Sequence, residues 1–344
     1  MKAAVQGSIW RTARTAGFSA SAALALTAAA PQRAQAVTII PIFNSNMSAS
    51  SKAVINSAIA FYQATYSDPV TVTIAFTNTN SGLGGSATYL FGTTYGDLSS
   101  AMFADRTTTD DNIANITPSS TNPVAAGALM ALSTANGRAL GYNTFGDAGT
   151  QIDPSCSASV IDACIFINLA ITNDAEVGAS GGYNLISVAE HEIDEVLGLG
   201  SALGAGGNSL ADGGYVRVQD LFRWSAVGTR SFTESACGSE GTAYFSIDNG
   251  VTNLDGFNNC NNGGDYGDWV THTPTQVQDA FTNNSGNPSL TYTSAEARAL
   301  DVIGWDLEAP RVVATPEPST LPLIATGFVG LFASARFRRK KSAV

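Results

Sequence analysis

The chain has 344 residues, a formal net charge of −11 and a hydrophobic content of 44%. Between residues 37 and 315 it carries 8 basic and 27 acidic side chains, a net charge near −19. Such a surface repels nucleic acid and anionic lipid, which excludes nucleic-acid binding as a function. The apolar content excludes a disordered chain, and about 270 residues suffice for one sizeable core.

The N-terminus has the pattern of a secretory signal peptide at residues 1–36. A basic segment with Lys2, Arg11 and Arg14 is followed by an apolar run of small residues and by Ala-Gln-Ala at 34–36. This order predicts export and cleavage before Val37.

The predicted elements of the mature chain alternate between helix and strand. Apolar spacing and β-branched content predict a helix at 51–66, a strand at 69–76, a Gly/Ser-rich loop, a helix within 93–105 and a strand at 163–171. A further helix starts near Leu185 and ends at Gly198 or Gly200, and a capped helix starts at Thr293 or Ser294. Residues 205–295 are mostly loop, with one helix expected around Pro274. We therefore expect an α+β fold, in which a lobe with a mixed sheet and an active-site helix precedes a loop-rich C-terminal subdomain.

The four cysteines, Cys156, Cys164, Cys237 and Cys260, predict disulfides because the count is even and the chain is exported. Of the three possible connectivities, local pairing of Cys156 with Cys164 and of Cys237 with Cys260 is preferred. A cysteine metal site is the alternative, but the sequence contains no Cys-x-x-Cys.

The segment His-Glu-Ile-Asp-Glu, residues 191–195, carries the main chemical signal. His191 and Glu195 are four residues apart, so on a helix both can bind one ion. In His-Glu-x-x-His peptidases the Glu corresponding to Glu192 is the general base, and the second His is a ligand. Glu195 takes the place of that His, and its carboxylate can bind zinc at nearly the same distance. The alternative is a solvated acidic helix face, which the apolar residues around the motif disfavour.

A third ligand is needed for a catalytic site. Ser201, ten residues after His191, is a poor ligand, and His272 is expected at the surface. Among the nearby carboxylates Asp212 and Asp220, we favour Asp220, because it follows a Gly-rich loop that could return to the helix.

Zinc is the expected metal, although carboxylate ligands shift the preference toward harder ions such as manganese or calcium. Acidic loops around Asp248, Asp255, Asp265 and Asp268 could bind calcium separately, but none has EF-hand spacing. Arg223 is expected to form a structural ion pair with Asp220 or with a carboxylate of the motif helix.

The C-terminus combines Pro316-Glu317-Pro318 in a linker at 311–320 with an apolar run at 321–335 and an Arg-rich end. The run is short for a bilayer span, so residues 321–344 read as a marginal membrane segment. The three parts, in this order, closely resemble the PEP-CTERM sorting signal of Gram-negative bacteria that make exopolysaccharide. The resemblance implies transient anchoring in the inner membrane, removal of the tail by an exosortase, and release to the periplasm, cell surface or extracellular matrix.

Residues 50–310 also resemble the zincin-type metalloproteases that carry PEP-CTERM tails. The matching segments are VTVTIAF, NGRALGYN, HEIDEVLG, QDLFRWSAVGTRSF, AYFSIDNGVTNLDGFN, GDYGDWV and ALDVIGWDL. The resemblance implies a zincin-like domain at 37–310 and a zinc endopeptidase that hydrolyses peptide bonds through a metal-activated water. His191 would be a ligand and Glu192 the general base, while Glu195 departs from the family pattern. The alternative is a catalytically inactive protein on the same scaffold that binds the exopolysaccharide matrix.

Overall fold

The fold is described from a computed structural model, for residues 36–124, 127–144, 161–173, 182–203, 215–232, 243–260, 262–282 and 289–308. The predicted sorting tail and all but the last residue of the predicted signal peptide lie outside these ranges. Cys164 and Cys260 are both disulfide-bonded. The predicted partners Cys156 and Cys237 lie outside the described residues, so the pairing stays a prediction.

Each α-helix in the described ranges begins after a Ser, Thr or Asn whose side chain accepts a hydrogen bond from a first-turn N–H group. This cap satisfies an N–H group that has no partner within the helix. The helices are α1 (Ala49–Thr65), α2 (Tyr95–Asp105), α3 (Thr109–Ala114), α4 (Thr134–Ala139), α5 (Leu185–Leu197) and α6 (Ala295–Val302). Helices α1, α2, α5 and α6 confirm the predicted helices at those places. Among the described helices, none is both long enough and apolar enough to cross a bilayer.

The strands are β1 (Thr38–Phe43), β2 (Thr71–Asn78), β3 (Gly84–Thr88), β4 (Leu90–Thr93), β5 (Leu129–Ser133), β6 (Ala163–Ile167), β7 (Thr172–Asn173), β8 (Tyr183–Asn184), β9 (Tyr215–Arg217), β10 (Arg223–Ala226), β11 (Thr229–Arg230), β12 (Tyr244–Phe245) and β13 (Asp255–Gly256). They form sheets of order β1-β2-β6-β3, β11-β10-β12-β13, β4-β5-β9 and β7-β8. The structure is thus mixed α and β with several sheets and few helices.

The sheet β1-β2-β6-β3 positions the motif helix. Strands β1, β2 and β6 run parallel, and β3 lies antiparallel to β6 at the edge. The parallel strands are rich in buried β-branched and aromatic residues, which suits strands covered by helices. Helix α5 is held against α1 by the Tyr62 hydroxyl, which lies 2.8 Å from both the Glu190 carbonyl oxygen and Asp194 Oδ1.

Three predictions about secondary structure were wrong in part. The Gly/Ser-rich stretch after β2 is not only a loop, because β3 forms within it and pairs with β6 from Gly84 to Thr88. The strand predicted at 163–171 ends at Ile167, where a turn begins. The helix expected around Pro274 is absent, since residues 273–282 form turns and irregular structure that begin with a cis Thr273–Pro274 bond.

The sheet of β10 to β13 carries Arg223, which is fully buried. Its guanidinium donates to the Tyr266 carbonyl oxygen and to Asn259 Oδ1, and it stacks 4.2 Å from the centre of the Phe257 ring. The partners differ from the predicted carboxylate, because β10 directs Arg223 toward the loop after β13 rather than toward Asp220. Arg223 therefore supports that loop.

Candidate metal centre

Helix α5 presents the motif because both of its ends are fixed. The Asn184 side chain caps the first turn, and the N–H group of Gly198 bonds the Asp194 and Glu195 carbonyl oxygens. Gly198 has φ = 134°, a backbone conformation that residues with side chains rarely adopt, so glycine suits this position. The helix therefore ends where the sequence predicted.

The imidazole of His191 is oriented by the backbone. Its Nδ1 lies 2.9 Å from the Val277 carbonyl oxygen and donates to it. A ring nitrogen that donates to a carbonyl carries a proton, so Nε2 is the nitrogen that a metal would bind in place of a proton. This hydrogen bond is the usual outer support of a histidine ligand.

Two carboxylates face Nε2 of His191. Glu195 Oε1 lies 3.7 Å and Asp268 Oδ2 lies 3.9 Å from His191 Nε2. These distances are too long for hydrogen bonds. They are close to the separation of about 3.3–3.6 Å between two ligands of a tetrahedral zinc ion. One ligand atom from each of the three residues lies within 4.8 Å of the others.

The second oxygen of each carboxylate is held by a neighbouring side chain. Ser86 Oγ donates to Glu195 Oε2 at 2.6 Å, and Gln278 Nε2 donates to Asp268 Oδ1 at 2.9 Å. The other oxygens, Glu195 Oε1 and Asp268 Oδ2, are the two that face His191. Such support fixes the orientation of metal ligands before the metal binds.

Asp268 reaches the helix because of Trp269. The fully buried Trp269 packs on Phe257, with ring centres 5.0 Å apart. The Trp269 N–H group donates a hydrogen bond to the Gln278 carbonyl oxygen, so the segment with Asp268 lies beside the segment with Val277 and Gln278. Asp268 and the Val277 carbonyl consequently meet the same imidazole.

Glu192 lies between the cluster and strand β3. It is 5% exposed, and its Oε2 has no hydrogen-bond partner among the described residues. A Cβ added to Gly84 would lie 2.3 Å from Glu192 Oε1, so the carboxylate is packed directly against the strand backbone. Glycine at this position makes room for Glu192.

The electrostatics of the cluster favour a cation. Burial lowers the pKa of His191, but Asp268, Glu192 and Glu195 more than offset this and raise it to about 10. Burial, followed by the charge of Glu195, raises the pKa of Glu192. Burial also raises the pKa of Asp268 to about 7, although the charge of His191 opposes the rise. In the absence of a metal the cluster holds protons, which a divalent ion would replace.

A cleft of about 310 Å³ lies over the cluster. One wall is residues 83–86 of the β3 region, and the opposite wall is the loop with Asp265 and Asp268. The cleft is large enough for part of an extended peptide.

The structure brings together His191, Glu192 and Glu195, but it places the predicted third ligand Asp220 elsewhere. Asp220 is fully buried and accepts hydrogen bonds from Ser201 Oγ at 2.6 Å and from the N–H of Ala202 at 2.9 Å. Both oxygens of the Asp220 carboxylate accept hydrogen bonds from the segment after α5, so Asp220 does not bind the ion of the cluster. Asp268 takes the place of Asp220 in the cluster.

Asp268 is not among the ligands predicted from the sequence, although it lies in GDYGDWV, one of the segments that carry the resemblance. Asp268 directly precedes Trp269, and tryptophan is highly buried in most folds. This neighbour could have indicated that the Asp268 carboxylate lies close to the core.

The acidic loop residues do not form a common calcium site. Asp248 accepts hydrogen bonds within its own turn, and Asp255 lies 3.1 Å from His272 Nε2. His272 also bonds Asp279 at 2.7 Å, so it is paired with two carboxylates.

Comparison with known proteins identifies the C-terminal tail alone. Residues 314–340 match the family model of the PEP-CTERM protein-sorting motif. The motif implies export, membrane-associated sorting and processing by an exosortase. No curated protein and no solved structure matches the chain.

Proposed function

We propose that the chain is an exported metal-dependent endopeptidase, with zinc held by His191, Glu195 and Asp268. The observation that carries the proposal is the orientation of the three side chains. Each has one atom fixed by a neighbour and the other directed at a common point. An acidic cluster without a ligand role would not need this arrangement. The zincin-like assignment of the fold is part of this proposal.

The donor set fits zinc or manganese better than calcium. One imidazole nitrogen and two carboxylate oxygens are ligands that zinc accepts. Calcium prefers six to eight oxygen ligands, which this cluster does not offer. Zinc bound here would supply Lewis-acid polarisation of a peptide carbonyl and would lower the pKa of water.

Glu192 is the proposed general base. Its Oε2 is buried and unpartnered among the described residues, so it can accept a proton from water in the cleft. The same oxygen can then deliver the proton to the leaving amine. Burial and the charge of Glu195 raise the pKa of Glu192, and a carboxylate with a raised pKa accepts a proton more readily.

Strand β3 is the proposed support for the substrate. Within the described residues it pairs with β6 alone, so its other edge offers free N–H and C=O groups. An extended peptide can add to such an edge as a further strand. Gly84 to Ser86 line the cleft, so a peptide bound there would pass over Glu192 and the cluster.

The sorting tail supports action outside the inner membrane. Together with the predicted signal peptide, it supports a peptidase that acts in the periplasm, at the cell surface or in the matrix. Its substrate would be a peptide or protein present there.

The alternative is an inactive surface or matrix-binding protein on the same scaffold. It is favoured by one observation: the charge of the neighbouring Glu195 adds to burial in raising the pKa of Glu192, so a proton held by Glu192 can relieve the repulsion without a metal. If the native protein is inert and Glu195→His creates peptidase activity, this alternative is correct.

The test is cleavage of casein by the purified full chain, with and without chelator, after loading with zinc, manganese or calcium. Glu192→Gln should abolish cleavage and retain the metal. Glu190→Gln is the matched control on the same helix, because Glu190 faces away from the cluster and accepts hydrogen bonds from Leu290 and Ser289. Chelator-resistant cleavage, or full activity of Glu192→Gln, would contradict the proposal.

A further inference from the structure

A second cavity of about 410 Å³ continues from the metal cluster along strand β3. Ser86, Glu195 and Asp265 line both cavities, so the two are adjoining parts of one cleft. Thr88 and Leu90 follow Ser86 at alternate positions along the wall of the second cavity. Because a strand rises about 3.3 Å per residue, Thr88 lies about 7 Å beyond Ser86. A peptide extended along β3 would therefore enter this cavity within about two residues of the cluster.

The far wall of the second cavity carries Arg217, at the end of β9. Its Nη2 donates to the Leu199 carbonyl oxygen at 3.2 Å. Its Nε is buried and has no hydrogen-bond partner among the described residues. In the same part of the chain, no carboxylate lies within ion-pair distance of it, whereas Arg138 pairs with Asp162 at 2.8 Å. Arg217 is thus a half-buried cation with a buried, unused Nε donor in an otherwise acidic protein.

The surrounding backbone is built to hold the guanidinium in this place. Asp220 accepts a hydrogen bond from the N–H of Arg217 at 3.1 Å and also binds Ser201 and Ala202, so it joins β9 to the segment after α5. Gly200 has φ = 133°, and an added Cβ would lie 3.5 Å from Arg217 Nη2. The predicted ligand Asp220 therefore shapes the wall that presents Arg217.

We propose that Arg217 binds a carboxylate of the substrate, so that the peptidase prefers peptides with an acidic side chain or a free carboxyl terminus near the scissile bond. A guanidinium with free N–H groups matches a carboxylate in geometry and charge. The carboxylates of Glu195 and Asp265 also line this cavity and repel such a group. A metal ion held by His191, Glu195 and Asp268 would offset the negative charge of Glu195, so that Arg217 would be the main charge at the far end of this cavity. This inference rests on the proposed peptidase function.

The experiment uses the zinc-loaded full chain and pairs of fluorogenic peptides that differ only by Glu or Gln at one position. A second pair differs only by a free or amidated carboxyl terminus. Because a charged hydrogen-bonded pair changes affinity by about 10- to 100-fold, one Glu peptide or the free-acid peptide should exceed its neutral partner in kcat/KM by that factor. The pair that shows the preference identifies the source of the carboxylate.

The ratio of kcat/KM for the acidic peptide to kcat/KM for its neutral partner should fall to about one in Arg217→Gln. In Arg217→Lys the ratio should be intermediate, because lysine keeps the positive charge but lacks the planar guanidinium. Arg106→Gln removes the same charge from another cavity and should keep the wild-type ratio. If Arg217 only supports the fold or Glu195, both members of a pair lose activity together and the ratio stays as in wild type. That result, or a wild-type ratio near one for all pairs, would overturn the inference.

If no peptide is cleaved, the proposed function fails, and binding still tests Arg217. Anisotropy of labelled acidic and neutral peptides on Glu192→Gln protein should show the same preference and its loss when Arg217→Gln is added. Equal binding of both peptides would then reject the carboxylate pocket independently of catalysis.

Discussion

Gly84→Ala should separate activity from folding. An added Cβ would lie 2.3 Å from Glu192 Oε1 and 2.9 Å from Val188 Cγ1, whereas ordinary contacts begin near 3.4 Å. The Glu192 carboxylate must then move by about 1 Å away from β3. A shift of that size in a catalytic group costs about 100-fold in rate, so kcat/KM should fall by about that factor.

The stability of the Gly84→Ala protein should change little. The closest atom is the end of a flexible side chain, and alanine suits a strand better than glycine, so the net loss should stay below about 2 kcal/mol. Zinc content should remain, because Glu192 is not a proposed ligand. The measurements are peptide cleavage, bound zinc by mass spectrometry, and chemical unfolding.

Gly85→Ala provides the matched control, since no atom lies within 4 Å of its added Cβ. It should cleave peptides at the wild-type rate. Full activity of Gly84→Ala with zinc bound, or an equal loss in Gly85→Ala, would refute the assignment of Glu192 as a base positioned by β3.

Three further predictions concern the ligands, the helix contact and pH. Loss of an outer support of a ligand costs about 10- to 100-fold in metal affinity, so loss of the ligand itself in Asp268→Asn should lower zinc affinity by more than about 100-fold. Asp220→Asn should retain zinc and should lower the melting temperature. Equal loss of zinc from both variants would contradict the ligand set. Tyr62→Phe removes the hydroxyl that joins α1 to α5, so it should reduce the free energy of unfolding, measured by urea titration, by about 1–3 kcal/mol. An unchanged urea midpoint would show that this contact does not stabilise the protein. Burial raises the pKa of Asp68 to about 7 and that of Asp301 to about 8, so the folded state binds more protons than the unfolded state above pH 4. The free energy of unfolding should therefore fall as pH rises from about 4 to 8, by up to about 1.4 kcal/mol per unit for each group, and a flat or rising profile would be inconsistent with these buried acids.

The sequence predicted the elements whose pattern is local. Helices α1 and α5 have apolar periodicity and capping residues, and strand β2 is rich in β-branched residues. The geometry of His191 and Glu195 on one helical face follows from the helix repeat alone. These features depend on residues that are close together in the sequence, so they could be predicted from the sequence alone.

The parts that failed depend on distant contacts. Strand β3 contains two glycines and looks like a loop, and only its pairing with β6 and the proximity of Glu192 to Gly84 explain it. The choice of Asp268 over Asp220 depends on the packing of Trp269, which no spacing rule encodes.

In the proposed metal centre, His191, Glu195 and Asp268 hold one ion. The most direct measurement is anomalous scattering at the zinc edge from crystals of the full chain grown with zinc. We expect one peak about 2.0–2.2 Å from His191 Nε2, Glu195 Oε1 and Asp268 Oδ2. An absence of any peak at these atoms, with zinc bound elsewhere or not at all, would contradict it.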